Sequence, residues 1–226
     1  MQTAWDWDFA FEIFPDLVRG MVTTIALTLA SIVFAVILGL FLALGRRSAH
    51  KWISYPTAGF IEFIRSTPLL IQMFFLFYAL PRTDLPSWLT TWPAFVTAFF
   101  TLGIHYGCYA SEAYRAGIES VPKGQWEAST SLNLRIQTTW RSVILPQAVP
   151  RSLPPLGNYF VAMFKDAPIA SAITVQGVLF IANAIRASTF RSVEPYTIAG
   201  LMFLAVSIPA AAFVRRLERR VAYESV

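Results

Sequence analysis

Three stretches of this chain contain no Asp, Glu, Lys or Arg: Gly20 to Gly45, Leu85 to Ser111 and Pro195 to Val214. At about 1.5 Å of rise per residue each reaches across a hydrocarbon core of roughly 30 Å, and each exceeds the roughly 18 residues that separate a spanning helix from a buried one. A further apolar run, Ser66 to Pro81, attains full length when it is extended back through Phe60 and Ile61, with Glu62 and Arg65 near one end. Val143 to Phe164 is also apolar, but Pro146, Pro150, Pro154 and Pro155 recur in it and Arg151 interrupts it. Proline removes an amide donor and collides with the preceding turn, so such a segment survives in hydrocarbon only against protein or beside a wet cavity. The pattern therefore predicts five spans, the fourth facing the interior of a bundle.

Composition supports that reading. The 226 residues are 56% hydrophobic and 14% charged, against a usual charged share of about 25%, which is more apolar surface than one soluble core hides. The single cysteine, Cys108, excludes a disulfide framework and a Cys-based zinc site. A formal charge of +5 suits either nucleic acid or a membrane surface, and its placement decides for the membrane. Eleven Lys and Arg residues follow the first, third and fifth spans, whereas the other side carries Arg19, Arg82, Arg186, Arg191 and an acidic N-terminal tail. By the positive-inside bias this places the N-terminus outside and the C-terminus in the cytoplasm. In the tail, Trp5, Trp7, Phe9 and Phe11 alternate with acids, as a strip in the headgroup zone would. Ala167 to Ile185, broken by Pro168, Gly177 and Asn183, reads as a short helix packed within the bundle near the outer surface, since a sixth span would move the C-terminal arginines outside. No repeat or linker divides the chain, so residues 1–226 are expected to form one all-α transmembrane domain.

The longest cytoplasmic connection, Gly117 to Ser142, has its own grammar. Pro122 is placed as a first helical residue and Asn133 as a left-handed C-cap, giving a short helix from about Pro122 to Leu132 and a second helical stretch from Leu134 to Ser142. The residues here resemble the cytoplasmic loop signature of ABC importer permeases: Glu-Ala-Ala, three residues, Gly, nine residues, Ile, one residue, Leu-Pro. This chain has Glu127, Ala128 and Ser129, then Asn133, Val143, Leu145 and Pro146 at the matching positions. Asn is the residue after Gly that most readily turns left-handed. The resemblance extends to Arg65-Ser-Thr-Pro-Leu-Leu70, Pro122-Lys-Gly-Gln-Trp-Glu127, Leu145-Pro-Gln-Ala148, Pro154-Pro-Leu-Gly-Asn158 and Phe164-Lys-Asp166. It covers roughly residues 18–217 and looks like the polar amino-acid uptake branch, within it most similar to ectoine and hydroxyectoine permeases. Ser66 stands where glycine is usual, and Ala167-Pro168 where Thr-Ser is usual, so solute preference need not follow the commonest members.

The resemblance implies a mechanical part rather than an enzyme. The helix after Pro122 would be a coupling helix between spans three and four, docking on a cytoplasmic ATPase dimer through Pro122, Lys123, Gly124, Trp126, Glu127, Ala128, Ser129, Asn133, Leu145 and Pro146. The expected partners are those ATPases, a second identical or similar permease subunit, an extracytoplasmic solute-binding protein, membrane lipid and a small zwitterionic substrate, with no nucleic acid. The expected location is the bacterial inner membrane. No Gly-x-x-x-x-Gly-Lys-[Ser/Thr] phosphate loop occurs in the chain, so ATP and Mg are expected on the partner and no cofactor or metal here.

Ionisable groups at membrane depth are costly and therefore functional candidates. Lys165 and Asp166 either mark the outer boundary of the fourth span or offer a zwitterion two charged partners in a translocation cavity. His105, Tyr109 and Glu112 fall at i, i+4 and i+7 on one helix face, with Arg115 as a partner for Glu112. Asn158, Tyr159 and Met163 follow the double proline and turn toward the same pathway. Glu62 and Arg65, three apart, most simply neutralise each other. The competing class is an ion-gradient-driven secondary transporter, which predicts inverted repeats; the proline-rich span has no counterpart in residues 20–80. A membrane-embedded enzyme would need convergent groups, and His50 and His105 lie in different kinds of segment.

Overall fold

A computed structural model describes residues 5–223, and among the described residues all regular structure is helical. Helix α1 runs from Trp7 to Arg46. It starts where it does because Asp6 is its N-cap: the Asp6 carboxylate accepts the amides of Asp8 and Phe9 at 3.1 and 3.2 Å. The aromatic tail is thus the first turns of a long helix rather than a separate strip. Trp7 and Phe11 sit one turn apart, ring centres 6.2 Å from each other, on an exposed face.

The second apolar run is not one straight helix. α2 covers Lys51–Arg65 and α3 covers Leu69–Phe74, followed by a π-helical turn at Phe75–Ala79 and a 3-10 turn at Leu80–Arg82. The break falls at Ser66, Thr67 and Pro68, because a proline drives the residue before it out of the helical region; Pro68 itself is extended. After the short α4 (Ser87–Thr90) comes α5 (Ala94–Glu119), and then α6 (Lys123–Ser131). The expected second stretch of the connection begins at Ile136 and does not stop: α7 (Ile136–Thr138) passes through a π-helical segment, Thr139–Ile144, into α8 (Leu145–Asp166).

The prolines do not break α8. Pro146, Pro150 and Pro154 recur every four residues, so the hydrogen bonds they delete lie along one face of the helix. The wide π turn sits just ahead of Pro146, where the regular ladder has already lost a donor. A 3-10 segment (Ala167–Ile173) leads to α9 (Val178–Thr189) and finally α10 (Val193–Tyr223).

Among the described residues two helices are long and apolar enough to cross a membrane alone, Trp7–Arg46 and Val193–Arg216. Two more pass only as bent pairs, Lys51–Arg65 with Leu69–Arg82, and Ile136–Ile173 with Val178–Thr189, the latter bent by 47°. α5 has the length, but His105 and its tyrosines dilute its apolarity.

The chain clusters into two compact units, and α1, α5, α8 and α10 each contribute to both. The first comprises residues 1–33, 67–103 and 161–210. Its core gathers Leu17, Met21, Phe164, Val178, Ala182 and Ile198. Here α1 and α9 touch backbone to backbone, since a Cβ on Gly20 would stand 2.8 Å from Val178 Cα. The amide of Val178, at the start of α9, donates to the Thr24 hydroxyl at 3.1 Å. A clasp ties the start of α1 to the entry of α10: Arg191 donates to the Asp6 carboxylate at 2.7 Å and lies over the Phe9 ring at 4.6 Å, and Glu194 accepts the Asp6 amide at 3.2 Å.

The second unit comprises residues 34–66, 104–160 and 211–226. Its close approach is between α1 and α5, where a Cβ on Gly39 would meet Ala110 Cβ at 2.7 Å and Gly107 O at 2.8 Å. The Tyr114 hydroxyl donates across the same contact to Val36 O at 3.2 Å. Ile61, Ile64 and Cys108 are buried together beside it.

Candidate functional site

The connection between α5 and α8 is a rigid hairpin. Pro122 is the N-cap of α6 rather than its first helical residue, one position later than the sequence suggests, and α6 ends at Ser131. Asn133 takes a left-handed conformation, φ 53. The Leu134 amide then reaches Ser129 O at 3.0 Å and the Asn133 amide reaches Thr130 O at 2.9 Å, which is the Schellman arrangement and satisfies the last carbonyls of the helix. The other end is fixed by packing. Val121, Ile144 and Ala148 are buried together, with Trp126 and Trp140 meeting edge to face at 5.3 Å. Arg47, just past α1, lies over the Trp140 ring at 5.7 Å.

This packing sorts the hairpin residues. Trp126 is half-buried in internal contacts, and Ser129 is buried, its hydroxyl donating to Gln125 O at 2.8 Å. Pro122, Lys123, Gly124, Glu127, Ala128, Asn133, Leu145 and Pro146 are exposed. Among the described residues Glu127 makes no hydrogen bond or ion pair, so its carboxylate does not serve the start of its own helix. Leu132 and Ile136 are 72% and 67% exposed. Glu127 and Ile136, with Trp126, Thr130 and Leu134, line a concave surface of mixed polarity.

Behind the hairpin, Glu112 is held by two cations. Arg115 reaches it at 2.8 Å and continues to Glu119 at 2.6 Å, as the spacing along α5 suggests. The second partner, Arg46 at the end of α1, lies 66 positions away in sequence and has no local signal.

The same unit contains an aromatic cluster. The His105 ring lies 5.5 Å from Tyr106 and 5.2 Å from Tyr109, and Tyr109 lies 5.6 Å from Tyr159. His105 is buried. Arg65 does not pair with Glu62; its guanidinium carbon is 5.2 Å from the Tyr109 ring centre, while Glu62 accepts the Ser66 hydroxyl at 3.4 Å. The residues expected to line a pathway are thus distributed. His105, Tyr109 and Tyr159 come together, with Arg65 as a member that the sequence reading assigned elsewhere. Asn158 is exposed and donates to Glu218 of α10 at 2.9 Å. Met163 is fully buried, Lys165 exposed and Asp166 half-buried, and all three belong to the first unit. Among the described residues no three His, Cys, Asp or Glu side chains gather as a metal site would require.

Comparison with known proteins adds to this geometry. The family described as "Binding-protein-dependent transport system inner membrane component" matches residues 35–223. A probable amino-acid ABC transporter permease protein of Sinorhizobium fredii is 42% identical over 207 residues, covering 92% of this chain and 87% of that protein. The L-cystine transport system permease protein TcyB of Bacillus subtilis is 38% identical over 226 residues, covering 97% and 94%. The crystal structure of an amino acid ABC transporter with histidines superposes with a TM-score of 0.89 at 32% identity, covering 96% of this chain and all of that one.

Proposed function

The chain belongs to the inner membrane components of binding-protein-dependent transport systems, and from that membership we propose that it forms the membrane path of an ATP-driven importer for polar amino acids or related zwitterions. It is a transport component of the inner membrane rather than an enzyme. In this reading it crosses the bilayer five times with its N-terminus outside and its C-terminus in the cytoplasm, in keeping with the distribution of Lys and Arg. A second permease subunit completes the path, and an extracytoplasmic binding protein delivers the solute. Two ATPase subunits hold ATP and Mg and close on each other, and the spans alternate between outward and inward access in response. The similarity to amino-acid and cystine permeases supports the solute class; ectoine, which carries both charges on one small ring, stays within it.

The observation that carries the coupling role is the hairpin at α6. Its shape is fixed from within by the Asn133 turn and the Trp126–Trp140 packing, while the exposed Glu127 carboxylate shares a concave surface with uncovered Ile136. A lever needs a stiff body and a free face, and α6 has both. The test is reconstitution in proteoliposomes with the ATPases, second permease and binding protein, against a panel of the twenty amino acids and ectoine. Wild type takes up at least one solute only with ATP, and Glu127→Lys lowers that uptake at least about tenfold, as loss of an interface hot spot does, while the complex still hydrolyses ATP. Uptake that survives ATP removal and collapses with the ion gradient would mark a secondary transporter. Wild-type uptake by Glu127→Lys would remove the coupling role of α6.

A further inference from the structure

Arg65 ends α2 at the break before Pro68, and its guanidinium covers Tyr109. Tyr109 continues into His105 and Tyr159, so the cation rests on one member of an unbroken aromatic surface. Two guanidiniums of the same unit are committed to carboxylates, Arg46 to Glu112, and Arg115 to Glu112 and Glu119. Arg65 differs from them. Among the described residues it has no carboxylate partner, and Glu62, one turn earlier, accepts from Ser66 instead. An exposed cation–π contact is a weak use of a guanidinium. That contact uses the charge of the guanidinium and leaves its N–H donors uncommitted.

We propose that Arg65 is a binding residue for the carboxylate of the transported solute, with Tyr109 and Tyr159 as the walls that steady it. A guanidinium presents two parallel N–H donors matched to the two oxygens of a carboxylate, a geometry that an ammonium lacks. The aromatic faces hold the fork in one orientation and thin the water around it, which strengthens a charge-assisted bond. The carboxylate is the group that every α-amino acid shares, and ectoine carries it too. One fixed cation therefore serves the whole class, and the choice among side chains is made by other residues. This inference rests on the importer reading above.

The test uses the purified complex of this chain with its permease and ATPase partners, without binding protein, so that recognition by that protein does not contribute. The probe is the radiolabelled solute that gives the largest uptake in the panel, and its α-carboxamide competes as the neutral analogue. Wild type binds the acid at least about tenfold more tightly than the amide, the worth of one charge-assisted contact. Arg65→Gln removes that preference by weakening the acid and leaving the amide unchanged, whereas a merely damaged fold weakens both alike. Arg65→Lys keeps the charge without the fork and retains part of the preference. An acid-to-amide ratio unchanged in Arg65→Gln, equal weakening of both, or no acid binding by wild type overturns the proposal while uptake in the panel still stands. A panel with no ATP-dependent uptake would instead overturn the importer reading itself.

Discussion

Single residues set two of the joints in this chain. Asn133 holds a left-handed conformation at the end of α6, so Asn133→Val, which places a β-branched side chain there, should cost about 1–2 kcal/mol, while Asn133→Gly should be tolerated. Melting of the purified complex followed by fluorescence checks both. The joint was legible in advance because Asn stands at the expected distance from the helix start, and the structure moves that start by only one residue. Asp6 is the second joint, and it was not legible: its partners Arg191 and Glu194 lie more than 180 positions away. The Arg191 guanidinium, and after it the Phe9 amide, hold the Asp6 carboxyl below the usual carboxylate range. A depressed carboxyl stabilises the folded state fully above its unfolded pKa, and that contribution is lost as the pH falls through the folded one. Asp6→Asn keeps a capping oxygen and loses the charge. Its melting temperature should therefore lie below that of wild type at neutral pH, and the gap should close as the pH drops beneath about 4.

At the scale of elements, glycines let helices approach closely. Gly39→Ala has no room, since Ala110 and the Gly107 carbonyl stand under 3 Å from the new carbon; separating α1 from α5 should cost about 1–3 kcal/mol. A carbon added at Gly59, inside α2, meets nothing within 4 Å, and Gly59→Ala should be neutral or stabilise by about 0.5–1 kcal/mol. Comparing the melting temperatures of the two variants checks the contrast. Helix existence followed from apolar runs, but helix continuity did not. The run around Arg65 looked continuous and is broken at Pro68, whereas the prolines of α8 looked disruptive and sit in a continuous helix. Local rules give the cost of a proline, and only the packing around it decides whether the helix absorbs that cost. The Glu62–Arg65 pairing failed for the same reason: spacing on a helix names neighbours, and Tyr109 on another helix is the better neighbour.

For the molecule as a whole, charge asymmetry supplies an orientation that a labelling experiment can read. The native Cys108 is fully buried, so the background is low. A cysteine at exposed Ser131 should react with a membrane-impermeant maleimide in inverted vesicles alone, and one at exposed Asp8 in right-side-out vesicles alone; the reverse pattern would invert the topology. Membership in a transport family was legible because its signature is local, lying within the hairpin, whereas the aromatic cluster under Arg65 joins α2, α5 and α8 and takes shape only on folding. One dimension remains to be used. Forty residues of α1 make a rod of about 60 Å, twice the thickness of the oily layer it enters. About half of it must therefore stand in headgroups or water, or lean steeply. Its opening turns suit the wet end, because Asp8, Glu12 and Asp16 are exposed at four-residue steps and Pro15 leaves the Phe11 carbonyl without its amide, an omission that water repairs and lipid does not. Because Asp6 fastens the tip of α1 to the entry of α10, the two helices begin at one level, and the surplus length is taken up by tilt or at the Arg46 end.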